Sequence, residues 1–126
     1  MKGGNSVSKW SEANCMGYAL GINRWLCIDD WRYRNSMDIA TELAAHYNLK
    51  IVKRKDMVKG KTYIVFRKSS VDFHFMKRSK DGHWRHKPGW AHVRSISEKE
   101  VFANTWYGNN PWTYYNTTPI VFEVQD

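Results

Sequence analysis

Two hydrophobic rhythms run through the chain. Residues 36 to 46 carry apolar side chains at helical spacing, Ile39 and Leu43 leading to Tyr47, with Ser36 as the expected N-cap. Near the start, Ser11 and Asn14 are both suited to cap a helix through Cys15-Met16-Gly17-Tyr18-Ala19-Leu20, which Gly21 ends. Ser97 followed by Glu100 fits a capping box and predicts a short helix as far as Asn104. The other rhythm is that of strands. Ile51-Val52, residues 62 to 67 and residues 120 to 124 read as strands, and residues 58 to 61 as a turn into the second. Residues 22 to 35 and 105 to 118 show no period and are expected to be loops rich in Trp and Tyr. Together these elements predict one α+β domain, with the Cys15 helix packed on an antiparallel sheet of about four to six strands. Residues 1 to 9 are polar and glycine-containing and are expected to form a loose arm.

Residues 71 to 90 hold the strongest local signal. Two aromatic-rich runs flank Asp81-Gly82, which predicts a β-hairpin. A bare two-residue loop would pair Lys80 with His83 and put His74 and His86 on opposite faces, because side chains alternate along a strand. A three-residue loop, Lys80-Asp81-Gly82, places glycine where a left-handed residue is needed and pairs Ser79 with His83. This second register is the expected one. It sets His74, Met76, Trp84 and His86 on one face, and Phe73 and Phe75 on the other.

Composition narrows the class. The chain has 126 residues, enough for one core, and 42% of them are hydrophobic. Seven Trp, seven Tyr and five Phe suggest a cleft or surface with aromatic walls. A net charge of +8 suits an anionic partner such as nucleic acid, a cell-wall polymer or a membrane surface, and equally a basic protein without one. Two cysteines, Cys15 and Cys27, make no disulfide framework and no CxxC pair. With no signal-peptide pattern at residues 1 to 6 and no apolar run of membrane length, the expectation is a cytoplasmic protein with reduced thiols.

The chemistry concentrates in Cys15 and the histidines of the hairpin. A cysteine hydrolase needs a nucleophile at a helix start, a base on a facing strand and a third group that orients the base. Cys15, His74 and His86 fill these roles. The first helical turn is expected to favour the Cys15 thiolate. The oxyanion donor would be the Cys15 backbone N–H, supported by Asn14 or Ser11. Trp31, Trp90 and Trp106 are the expected substrate-binding walls, and core packing explains the same residues. No cofactor and no metal are called for.

The fragments Asn14-Cys15-Met16-Gly17-Tyr18-Ala19, Gly60-Lys61-Thr62-Tyr63-Ile64-Val65-Phe66 and Asp72-Phe73-His74-Phe75, in this order, resemble the papain-like fold in its NlpC/P60-type arrangement. The segment from Asp72 to Phe75 with residues 81 to 89 is also similar to a little-characterised bacterial and phage group with a D-x-H-W-Y-R … D-G-x-W-x-H-K-P-G hairpin. The likeness spans most of residues 13 to 90, and the C-terminal third is unmatched. Lys61 departs from the NlpC/P60 pattern, which has Asp there. The resemblance implies a papain-like cysteine peptidase or amidase that hydrolyses or transfers at an amide-type bond, with peptidoglycan peptides a frequent substrate. Three rivals stand beside it. Cys15, His74, His83 and His86 match zinc by ligand type, although the expected register turns His83 away. Basic charge interleaved with Trp and Tyr suits nucleic acid. A silent papain-like domain, used by a phage to bind a host protein, would share every feature.

Overall fold

A computed structural model describes residues 9–108 and 112–125. Its centre is a six-stranded antiparallel sheet in the order β1-β8-β2-β3-β4-β5. The strands are β1 (Leu49–Val52), β2 (Tyr63–Lys68), β3 (Phe73–Arg78), β4 (Trp84–His86), β5 (Arg94–Ser95) and β8 (Ile120–Val124). A two-stranded ribbon, β6 (Trp106–Tyr107) with β7 (Tyr114–Tyr115), lies within the stretch expected to be loop. The helices are α1 (Cys15–Leu20), α2 (Ser36–Tyr47) and α3 (Glu98–Val101).

Both faces of the sheet are covered, which is why β2 is buried along nearly its whole length. Ile64, Phe66, Phe75, Ile120 and Phe122 point to one face and pack on Met16 and Ala19 of α1 and on Ile39, Ala40 and Leu43 of α2. The alternate residues Tyr63, Val65, Met76 and Val121 point to the other and meet Trp84, Ile96, Val101, Trp106 and Tyr115. Arg67, directly opposite His74 in the β2–β3 ladder, is fully buried on this second side. Its guanidinium donates to the carbonyls of Val101, Asn104 and Thr117, so one cation ties α3 and the C-terminal loops to the sheet.

The hairpin takes the three-residue loop. Lys77 pairs with Arg85 and Arg78 with Trp84, Ser79 N–H donates to the His83 carbonyl, and Gly82 has φ +84°. Asp81 accepts from the His83 N–H and from Arg85, which fixes the turn. Asn14, not Ser11, caps α1. Asn35 caps α2 in place of Ser36, because its side-chain oxygen reaches the N–H groups of Met37 and Asp38. Ser97 caps α3, but its hydroxyl also donates to the Glu100 carboxylate, which is drawn on towards the indole N–H of Trp106. That helix stops at Val101, short of Asn104, whose carbonyl receives Arg67.

Candidate active site

Strand β4 ends at His86, which by register lies opposite Met76. The first half of β3, residues 73 to 75, therefore has no strand on that side. The start of α1 fills the place, and backbone N–H groups of Phe75, Met16 and Cys15 itself act on the Cys15 sulfur. Helix α1 is set by Asn14, whose side-chain oxygen accepts from the N–H groups of Gly17 and Leu26 while its amide donates to the Leu26 carbonyl. One side chain thus caps the helix and pins the following loop across it. Gly17 makes the crossing possible: a Cβ there would lie 2.1 Å from the Arg24 carbonyl oxygen.

A cleft of about 350 Å³ opens at this edge, and Asn14, Cys15, Asp72, His74, Trp106 and Tyr115 all line it. His74 and His86 are both buried, and His74 Nε2 lies 2.8 Å from His86 Nδ1. Trp106 stacks on the His74 ring at 5.2 Å, and Tyr115 lies against it at 5.4 Å. The ring is held by a hydrogen bond at its far nitrogen and by aromatic faces, which leaves Nδ1 as the nitrogen available for chemistry.

The electrostatics differ from the thiolate expected of a helix start. Burial pushes the Cys15 thiol up to about 12, and the Asp72 carboxylate adds to the rise; the Phe75 N–H opposes it. Burial, with the neighbouring His86, takes His74 down to about 3. Burial also lowers His86, to about 4, with Arg94 acting in the same sense and Glu100 against it. The resting site thus holds a neutral thiol and a neutral imidazole on the wall of one cleft. The desolvation of a site this closed outweighs the dipole of a six-residue helix.

Lys87 follows His86 and is 3% exposed. Its ammonium donates to the carbonyls of Ala13 and Gly89, and burial lowers its pKa while the nearby Cys15 acts in the opposite sense. It ties the strand that carries His86 to the residue just before Asn14-Cys15. Asp72 accepts the Tyr115 hydroxyl at 2.7 Å and the Phe73 N–H at 2.8 Å.

The structure thus gathers Cys15, His74, His86 and Asn14 and adds residues that the sequence reading did not place at the site: Cys27, Asp72, Tyr115 and Lys87. Asp72 stands two residues before His74 on the approach to β3, so strand alternation was an available signal for it. For Lys87 there was none, since lysine is almost never buried. Ser11 lies in the turn before α1 and outside the cleft wall. Trp31 is also outside it, packed edge-on against Phe73 beside the core. Trp90 is 72% exposed and pairs with Trp25, a wall residue, at 4.4 Å. His83 is exposed at the turn. Among the described residues no three His, Cys, Asp or Glu side chains are grouped to hold a metal ion. No helix among them is long and apolar enough to cross a membrane.

No family model matches the chain, and no curated protein or solved structure is found similar to it.

Proposed function

We propose that the chain is a cysteine-dependent hydrolase or acyl transferase acting on an amide-type bond, built on a papain-like plan of NlpC/P60 type. The observation that carries this reading is the 2.8 Å bond from His74 Nε2 to His86 Nδ1, with Cys15 on the wall of the same cleft. For Nδ1 of a neutral His74 to accept a proton, Nε2 must carry the ring hydrogen and donate it to His86, which is then protonated on its own Nε2. In that tautomer the bond holds the His74 ring and leaves Nδ1 as its base nitrogen.

In the reaction the Cys15 Sγ–H proton passes to His74 Nδ1 as Sγ bonds to the carbonyl carbon. The carbonyl oxygen gains the electron pair, and backbone N–H groups at the start of α1 are the available donors to it. Collapse breaks the C–N bond, the proton leaves with the amine, and water or a second amine releases the thioester. Because the resting pair is neutral, proton transfer accompanies attack and does not precede it. Peptidoglycan peptides, frequent substrates in the resembled family, are the first to try.

The test is release of new amino termini from peptidoglycan peptides by folded wild-type, Cys15→Ala and His74→Ala chains. Loss of turnover in both variants supports the reading; full activity in both refutes it. A second reading, a basic binding module for nucleic acid or a host protein on an inactive papain-like fold, is favoured by the exposed Trp25–Trp90 pair on a chain of net charge +8. Partner binding that survives Cys15→Ala would mark that reading.

A further inference from the structure

The chain carries a formal charge of +8, yet the cleft wall is different. Among its described lining residues Asp72 is the one Asp, Glu, Lys or Arg. Its two oxygens accept from neutral donors, the Tyr115 hydroxyl and the Phe73 N–H, and no Lys or Arg among the described residues pairs with it. The Lys87 ammonium is committed to the carbonyls of Ala13 and Gly89 and is not part of the wall. Around the carboxylate the wall is aromatic: Trp25, Phe73, Trp106 and Tyr115. An uncompensated carboxylate among π faces is the surrounding that receives an ammonium or guanidinium group.

We propose that Asp72 makes this cleft selective for ligands that carry a cationic group close to the amide. The inference rests on the proposed hydrolase reading for the identity of the amide as the reacting group, but it concerns recognition and is measurable without turnover. Asp72 is a specificity residue here. The alternative is that its carboxylate only braces Tyr115, and the two roles separate by variant. Asp72→Asn removes the charge and keeps an acceptor, whereas Tyr115→Phe removes the brace and keeps the charge.

The experiment is an NMR titration of the ¹⁵N-labelled full chain bearing Cys15→Ala, so that no chemistry intervenes. The probes are Nα-acetyl-lysine N-methylamide and its neutral counterpart, Nα-acetyl-norleucine N-methylamide, followed at the backbone amides of Phe73, Gly89 and Gly108. The lysine compound is expected to bind about five-fold more tightly, the upper range for a partly exposed ion pair. The preference should shrink at high salt. It should vanish in Asp72→Asn and persist in Tyr115→Phe. Equal binding of the two compounds, a preference that survives Asp72→Asn, or no lysine-compound shifts at these amides would each overturn the proposal. Loss of turnover in Cys15→Ala and His74→Ala is a separate result, so failure here leaves the hydrolase reading to its own test.

Discussion

Replacing Lys87 by Met tests how the fold holds the nucleophile against the histidines. The ammonium donates to two carbonyls, those of Ala13 and Gly89, and Ala13 is 0% exposed. A hydrogen bond from a charged donor contributes about 1.5–3 kcal/mol, and a buried carbonyl left without a partner costs about 1–3 kcal/mol. Against this stands the desolvation of the ammonium, several kcal/mol that the Met side chain does not incur. With one carbonyl fully buried and the other nearer the cleft, the balance is a loss of about 2–3 kcal/mol. At roughly 3–6 °C per kcal/mol for a chain of this size, the midpoint should fall by about 10 °C. A second effect is electrostatic. Removing a positive charge near Cys15 disfavours the thiolate, so iodoacetamide should alkylate Cys15 more slowly in Lys87→Met at any fixed pH, measured in a Cys27→Ser background. Lys87→Arg should recover part of both losses. Unchanged melting together with unchanged alkylation in Lys87→Met would refute the idea that this buried cation joins the two halves of the site.

Three further outcomes follow from the geometry. His86→Ala should lower turnover by less than His74→Ala, for which about 10²–10⁴-fold is expected of a general base, and His86→Gln should recover part of the loss by restoring an acceptor at Nε2 of His74. Gly82 has φ +84° and open space around its Cβ position, so Gly82→Val should cost about 1–2 kcal/mol through backbone strain alone, read by urea denaturation. His74 and His86 are held at about 3 and about 4, below the usual value of 6.5, so between those limits the unfolded chain binds more protons than the folded one. Stability is full above about pH 6.5 and falls as pH drops towards 4, with a slope approaching 1.4 kcal/mol per pH unit for each histidine. Melting curves across pH 4–7 should show that slope flatten in a His74→Gln, His86→Gln double variant.

The hairpin was legible because its evidence is local. Asp81-Gly82 sets the loop, the loop sets the register, and the register puts His74 and His86 on one face with Met76 and Trp84. The same reasoning reached the Cys15 helix through Asn14 and α2 through its apolar spacing. It missed the β6–β7 ribbon, where Trp106 and Tyr115 gain their strand character by pairing with each other and packing on His74, a tertiary effect without a periodic trace. Cys15's ionisation was misjudged for a related reason. Helix position can be read in a sequence, but the burial that dominates the thiol depends on elements distant from it in the chain. Trp31 and Trp106 are alike as residues, and only the fold leaves one half-buried against the core and brings the other to the cleft wall.

The central claim is that Cys15 is a nucleophile served by His74. Single-turnover acylation by p-nitrophenyl acetate, followed by intact mass and peptide mapping in a Cys27→Ser background, tests it without knowledge of the natural substrate. Cys15 should acquire one acetyl group. Its acylation should stay nearly level between about pH 5 and 9, because a thiol pushed up to about 12 and an imidazole held at about 3 leave the neutral reacting pair populated throughout, and should slow by about 10²-fold or more in His74→Ala. Acylation of Cys15 at the same rate with and without the His74 imidazole, or no acylation of Cys15 at all, would contradict the account.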